Sequence, residues 1–332
     1  MDNFIMPLKT KNDKNEMRRV GYELEFANVE IEDILTILEG NYSFEVKKIN
    51  NFLYKLNSKY GDFTLELDFE LLTKQKLKKN LISFFEKVGV DIEQNSIDEI
   101  ENLIGTLSKD IVPYEISTPP VPLNEMNIVE DIVQKLNQNK AYGTNERFYY
   151  AFGLHINTEV VSLEVESLLS YIKAYMVLQD YINKDAKVNL ARKITPYIDN
   201  FKSEYIVYIL DEKYKPTITE LIEDYIQYNP TRNRSLDLLP ILAFIDEKRV
   251  REKLPDEKIK PRPAFHYRLS NSMIGDSSWR VSDEWNRWIL IEKLANDEDA
   301  LNYLSKEYLL YLDKFINFES WESRIKKWIK SH

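Results

Sequence analysis

The chain of 332 residues contains no cysteine, and only eight of its residues are glycine. Without cysteine it can form neither disulfide bonds nor zinc–thiolate sites, and no thiol can act as a nucleophile. The few glycines do not form the glycine-rich loop of a P-loop or of a Rossmann fold, two common cradles for nucleotide phosphates. A bound nucleotide would therefore have to be held by metal ions and arginines.

Positive charge is outweighed by negative charge. The 45 lysines and arginines are outnumbered by 55 acidic residues, which gives a formal net charge of −10 and a pI near 5.1. This balance disfavours nucleic acids and anionic membranes as partners, because both bind basic surfaces. No apolar run is long enough to span a bilayer, and Met1 to Met17 lack the apolar core of a signal peptide. We expect a cytoplasmic protein; its oligomeric state is not predicted.

Several short segments place carboxylates between apolar residues at every second position. The clearest is Gly21–Phe26, in which Glu23 and Glu25 alternate with tyrosine, leucine and phenylalanine. Strand side chains alternate between faces, so both carboxylates are predicted to share one face of a sheet. The segments around Glu115 and His155 alternate in the same way. A sheet with one wet face produces this pattern without chemistry, but the ordered combination of segments favours a functional site.

We predict that four residues of these segments bind divalent metal ions: Glu23, Glu25, Glu115 and His155. Clustered carboxylates repel one another, so a face that carries several either meets water or holds cations. Oxygen ligands with one imidazole suit Mg²⁺ or Mn²⁺ better than zinc. Residues two apart in a strand lie roughly 7 Å from each other, so Glu23 and Glu25 could each serve one ion of a pair.

Arginines are the second predicted contact for phosphates. Arg232, Arg262 and Arg268 lie in polar or strand-like segments, and a guanidinium group matches phosphate oxygens through two parallel hydrogen bonds. Arg268 is the strongest candidate, because the alternation of Phe265–Leu269 places it on the same strand face as His266. Taken singly, each arginine is also compatible with a surface ion pair, and His266 with a structural role.

The hydrophobic pattern predicts one α+β domain over residues 17–332, preceded by a flexible lead-in over residues 1–16. In this domain an antiparallel sheet is backed by helices and followed by a largely helical C-terminal half. Apolar spacing from Lys74 to Leu107 predicts helices within the first part of the chain. The predicted regions are a sheet core at about 17–158 and 260–290, a helical region at about 160–250 and two C-terminal helices at about 286–330.

Three motifs, in this order, resemble those of a known enzyme family. Gly21–Phe26, Tyr114–Pro120 and Gly153–Asn157 are similar to the Gly-x-Glu-x-Glu-Phe, Glu-x-x-Ser-Pro and Gly-x-His-x-His/Asn motifs of the amidoligases. The amidoligases are a branch of the glutamine synthetase and gamma-glutamylcysteine ligase superfamily. The resemblance runs from about residue 18 to about residue 295. One difference is Asn157, where many relatives have a second histidine.

The resemblance implies a glutamine synthetase-like curved antiparallel sheet with the site on its concave face. It also implies an ATP-dependent carboxylate–amine ligase. In that reaction a substrate carboxylate attacks the γ-phosphorus of ATP to give an acyl phosphate, and an amine then displaces phosphate to form an amide or isopeptide bond. ATP with Mg²⁺ or Mn²⁺ are the expected cofactors. The expected substrates are a carboxylate and an amine, each a small molecule or a peptide.

Within this scheme we assign two roles to the candidate residues. The expected ATP contacts are Glu23, Glu25, Asn157 and Arg268. The expected catalytic arginines, which stabilise charge in the transition state, are Arg268, Arg262 and Arg232. Two other classes of function remain open, a metal-dependent phosphotransferase or hydrolase and a non-catalytic binding module.

Overall fold

The computed structural model describes residues 4–27, 29–42, 44–50, 53–67, 114–138, 152–186, 200–313 and 319–331. The helices predicted between Lys74 and Leu107 lie outside these residues. The described strands are β1 (Arg19–Phe26), β2 (Glu45–Lys48), β3 (Leu53–Ser58), β4 (Gly61–Leu67), β5 (Tyr114–Ser117), β6 (Val121–Pro122), β7 (Leu154–Glu159), β8 (Leu236–Asp237) and β9 (Ala264–Tyr267). The described helices are α1 (Ile31–Tyr42), α2 (Asn127–Gln138), α3 (Val165–Asp185), α4 (Ser203–Leu210), α5 (Ile218–Tyr228), α6 (Leu239–Ile245), α7 (Glu247–Lys253), α8 (Val281–Ala295), α9 (Glu298–Asp313) and α10 (Trp321–Ser331).

The described strands form one antiparallel sheet that does not close into a barrel. Its order is β2-β3-β4-β5-β1-β7-β9-β8, and β6 pairs with the start of β1. Strand β1 is therefore flanked by β5 and β7, and these three strands carry the three motifs. The predictions of an α+β fold, an antiparallel sheet and a largely helical C-terminal half are confirmed.

One face of the sheet is apolar and forms the core. Its side chains include five that are fully buried: Tyr22, Leu24, Leu154, Ile156 and Tyr267. Helices α3 and α8 cover this face through aromatic contacts. The ring of Tyr171 on α3 stacks on Phe265 with 4.8 Å between centroids, and Trp288 on α8 lies 5.6 Å from Tyr267. Packing of this face leaves the opposite, polar face for the site.

The segment over residues 4–16, predicted to be flexible, is instead bound to the domain. Ile5 donates its backbone N–H to Asn286 Oδ1 at 2.9 Å and accepts a hydrogen bond from Trp285 Nε1 at 2.8 Å. The carbonyl of Lys9 accepts a hydrogen bond from the buried guanidinium of Arg18. Partners on α8 are remote in sequence, so local composition does not reveal these contacts.

The C-terminal boundaries also differ from those predicted. Within residues 260–290 the sheet contributes β9, and helix α8 already begins at Val281. Three helices, α8 to α10, follow where two were predicted. The first turn of α8 carries Asp283 and Glu284, whose negative charge is favourable at a helix N-terminus. No described helix combines the length and the apolarity that crossing a membrane requires.

Candidate functional site

Strand register brings the motif side chains together on the polar face. Glu23 on β1 is the partner of His155 on β7, and Asn157 on β7 is the partner of His266 on β9. His266 in turn is the partner of Asp237 on β8. Directly opposed residues point to the same face of an antiparallel sheet, with Cβ atoms roughly 5 Å apart. The polar face therefore collects side chains from four strands that are far apart in sequence.

Three of these residues, Glu23, His155 and His266, form what we call the Glu23 cluster. Glu23 Oε2 lies 2.6 Å from His155 Nδ1 and 3.8 Å from His266 Nε2. One possible ligand atom from each residue lies within 4.8 Å of the others, and among the described residues no other three acids or histidines converge in this way. Asn157 Nδ2 donates to Glu23 Oε1 at 3.0 Å and orients the carboxylate.

The surroundings of Glu23 favour its charged form. Burial by itself would raise the pKa of this carboxyl, since its side chain is only 24% exposed. His266, the hydrogen bond from His155 and the charge of Arg262 outweigh burial, so the pKa of Glu23 lies well below its ordinary value. Glu23 is therefore a carboxylate at neutral pH, as a metal ligand must be.

His266 is neutral at the same pH. Burial lowers the pKa of its imidazole well below 6.5; Arg268 and Arg262 add to the lowering, and Glu23 opposes it. Nε2 of this ring is buried and has no hydrogen-bond partner among the described residues. This nitrogen lies 3.8 Å from Glu23 Oε2, so it could serve as a cation ligand together with that carboxylate. Sequence analysis left His266 undecided and out of the predicted metal set.

Two other predicted metal ligands, Glu25 and Glu115, lie with Glu66 in an adjacent row of carboxylates, here called the acidic row. The register pairs Glu25 on β1 with Glu115 on β5, and Glu115 with Glu66 on β4. Glu25 Oε2 accepts the backbone N–H of Gly153 at 2.5 Å, and its Oε1 lies 4.0 Å from His155 Nε2. The structure thus places Glu115 with the acidic row and not in the Glu23 cluster. Glu66 was not predicted, although the alternation in its strand marks it.

The three predicted arginines, Arg232, Arg262 and Arg268, lie beside the Glu23 cluster and are here called the arginine group. Arg262 Nη2 donates to Asn157 Oδ1 at 2.7 Å, and Arg268 Nη1 donates to the carbonyl of Arg232 at 2.6 Å. Burial lowers the pKa of Arg262; Glu23 and Asp237 oppose this effect, and the other two arginines add to it.

The sequence comparison agrees with this geometry. A family model described as "putative amidoligase enzyme" matches residues 16–290. The chain belongs to the amidoligase family. The matched range contains the Glu23 cluster, the acidic row and the arginine group, and it confirms the resemblance carried by the three motifs. No curated protein and no solved structure matches the chain.

Asp237 is a further charged residue of the polar face that sequence analysis missed. Its side chain is fully buried, and Oδ1 accepts the backbone N–H of Leu239 at 3.0 Å. Burial raises the pKa of Asp237 to about 6, and the Leu239 hydrogen bond and the arginine group oppose the rise. The one sequence signal is a single acid within the apolar run from Leu236 to Leu242.

Two other arginines, Arg234 and Arg280, have structural contacts. Arg234 is buried, and it donates to Asn229 Oδ1 and to the carbonyl of Asn200. Arg280, at the start of α8, donates to the carbonyls of Ser277 and Trp279. Neither contact belongs to the polar face.

A cavity of about 570 Å³ lies away from these groups, between the end of α1, the β3–β4 turn and the start of α2. Tyr42, Phe44 and Tyr60 line it together with Glu125 and Asp131. The Glu23 cluster and the arginine group do not line this cavity. We place the candidate site on the polar face, because that is where possible ligand atoms and opposite charges converge.

Proposed function

We propose that this amidoligase is an ATP-dependent carboxylate–amine ligase with its site on the polar face of the sheet. The observation that carries the proposal is the adjacency of the Glu23 cluster and the arginine group, in a chain of an enzyme family of ligase type. Where a protein lacks a glycine-rich loop, phosphates can be bound and activated by metal cations and by arginine guanidinium groups. The polar face offers ligands for the first and supplies the second.

The residues present fit divalent cations. The Glu23 cluster offers one carboxylate and two imidazoles, and the buried His266 Nε2 has no other hydrogen-bond partner in the described part of the chain. This set suits Mn²⁺ or Zn²⁺ better than Mg²⁺, whereas the oxygen ligands of Glu25, Glu115 and Glu66 suit Mg²⁺. Bound cations would offset the negative charge of the ATP phosphates and hold them on the sheet.

In the proposed reaction an oxygen of the substrate carboxylate forms a bond to the γ-phosphorus of ATP, and the bond to ADP breaks. The arginine group stabilises the charge that builds on the transferred phosphoryl oxygens. An amine nitrogen then bonds to the acyl carbon, and the bond to phosphate breaks. The amine loses a proton in this step, and a carboxylate of the acidic row is the proposed acceptor.

The test begins with binding. Calorimetry with Mn²⁺ should show a site in the wild type that Glu23→Gln weakens at least tenfold. ATP should bind in the presence of the metal. Glu45→Gln, an exposed acid on β2, is the matched control and should bind as the wild type does. Absence of ATP binding at millimolar Mn²⁺ and Mg²⁺ would overturn the proposal.

Hydroxylamine separates the ligase from the alternative enzyme classes. An acyl phosphate is trapped by hydroxylamine as a hydroxamate, so pooled carboxylic acids and amino acids with ATP should yield hydroxamate and ADP. Phosphate release that needs neither carboxylate nor amine would instead identify a phosphotransferase or hydrolase.

A further inference from the structure

Asp237 has no part in the ligase scheme described above, although it lies on the polar face next to the Glu23 cluster. It is the cross-strand partner of His266, and none of its side chain is exposed. Its Oδ1 is held by the backbone N–H of Leu239, whereas Oδ2 has no hydrogen-bond partner among the described residues. A buried carboxylate with one unsatisfied oxygen is costly, so an acid at this position needs a reason.

The nearby charges supply that reason. The backbone N–H groups of Arg268 and Arg262 bond to the carbonyls of Ser235 and Pro240, at 2.9 and 3.1 Å, and these two carbonyls flank Asp237 along the chain. All three guanidinium groups of the arginine group favour the charged form of Asp237. The arginines carry like charges and repel one another, and Arg232 and Arg268 accordingly lower the pKa of Arg262. Asp237 and Glu23 act on Arg262 in the opposite sense. A carboxylate in a buried, weakly screened position offsets such repulsion more strongly than one in water.

We propose that Asp237 is a positioning residue whose negative charge holds the arginine group together as one anion-binding unit. Arg232 and Arg268 are partly exposed. Without the carboxylate they would turn apart toward solvent, where their repulsion is screened. An anion would then have to reassemble the group before it could bind, and ordering long side chains weakens binding.

The inference rests on the proposal that the arginine group binds phosphate, but its test needs neither metal nor ATP. The probe is inorganic pyrophosphate, titrated by calorimetry in EDTA at pH 8. Asp237→Asn keeps the shape of the side chain and removes the charge. We expect it to weaken pyrophosphate binding at least tenfold. Asp283→Asn, an exposed acid in the first turn of α8, is the matched control and should change binding less than twofold.

The sign of the effect decides between two physical models. If Asp237 only repelled anions, Asp237→Asn would bind pyrophosphate more tightly; this result, or unchanged affinity, would overturn the proposal. Asp237→Ser removes the same charge with a smaller side chain and should weaken binding equally. It replaces Asp237→Asn if that variant does not fold.

A double-mutant cycle separates positioning from a general structural role. In an Arg268→Gln background the arginine group is already broken, so Asp237→Asn should alter pyrophosphate affinity less than twofold. An undiminished effect in that background would show that Asp237 does not act through the arginines. Because pyrophosphate binding is measured without metal, failure of the ligase proposal would leave this result interpretable.

Discussion

Nη2 of Arg262 lies 3.0 Å from Nδ1 of His266 and donates a hydrogen bond to it. A guanidinium has no acceptor, so Nδ1 must accept, and the neutral ring carries its proton on Nε2. Nε2 lies 3.8 Å from Glu23 Oε2. A cation bound by Nε2 would displace the proton, so Arg262 and a metal ion favour different tautomers of the same ring.

Arg262→Gln should therefore tighten Mn²⁺ binding. The glutamine carbonyl can accept from a protonated Nδ1, which leaves Nε2 free as a ligand, and the loss of a positive charge acts in the same direction. We expect a severalfold lower Kd by calorimetry, with Arg280→Gln unchanged as the control. Weaker binding would mean that His266 does not ligate through Nε2.

Replacement of Glu23 should affect stability as well as metal binding. The pKa of Glu23 is lowered in the folded protein, so its charged form stabilises the fold above the ordinary pKa of about 4.3. This contribution is lost as the pH falls through the lower, folded-state value. In EDTA, Glu23→Gln should have a lower Tm than the wild type at pH 7, and the difference should shrink in acid. A pH-independent difference would contradict this assignment.

Asp237 should show the opposite pH dependence. Its pKa rises from 3.8 to about 6, so the folded protein holds a proton that the unfolded chain releases between these values, and stability falls as the pH rises through this range. The difference corresponds to about 3 kcal/mol. Urea unfolding should therefore find Asp237→Asn more stable than the wild type by up to about 3 kcal/mol at pH 7, with no advantage near pH 4.

The neighbours of Asp237 do not mask this effect. The pKa of the facing His266 lies well below 6.5, because burial disfavours its charged form. His266 therefore lowers stability as the pH falls below 6.5. His266 is present in both proteins, and the difference between them isolates Asp237. A constant difference from pH 4 to pH 7 would show that Asp237 does not titrate as stated.

Arg268 and Arg280 should respond differently to replacement by lysine. Lysine keeps the charge but loses the planar fork, so Arg268→Lys should lower the turnover of ATP by on the order of a hundredfold, with a smaller change in nucleotide affinity. Arg280 contacts backbone carbonyls at the start of α8 and lies 3.9 Å from Glu130, so Arg280→Lys should be mild. If steady-state kinetics showed a larger loss of turnover for Arg280→Lys than for Arg268→Lys, the phosphate contacts would have to lie elsewhere.

A buried ion pair links Arg18, the residue before β1, to α8. Arg18 donates two hydrogen bonds to Glu292, at 2.7 and 2.9 Å, and the side chains are 0% and 2% exposed. Glu292→Gln leaves the guanidinium buried without its counter-charge, which should cost about 3–5 kcal/mol in urea unfolding. Glu252→Gln removes the partner of an exposed lysine and should have little effect. Equal effects would mean that the Arg18 site admits water.

The motif residues show how far sequence reasoning reaches. Alternation in β1 predicted correctly that Glu23 and Glu25 share a face opposite Tyr22 and Leu24, because the two-residue period of a strand is a local property. The same reasoning could not separate the ligand groups. Glu115 and His155 flank β1 on opposite sides, so one joins the acidic row and the other the Glu23 cluster.

By itself the sequence determined the composition limits, the alternating strands, the family motifs and the arginines that came to lie together. Only the tertiary structure brought His266 and Asp237 to the site, since both depend on pairing among β7, β8 and β9, strands remote from β1 in sequence. The contacts between the N-terminal segment and α8 are likewise visible only in the tertiary structure. The alternation within a strand shows which residues share a face, but it does not show which distant strand will lie beside it. That choice is made when the apolar faces pack together in the folded chain.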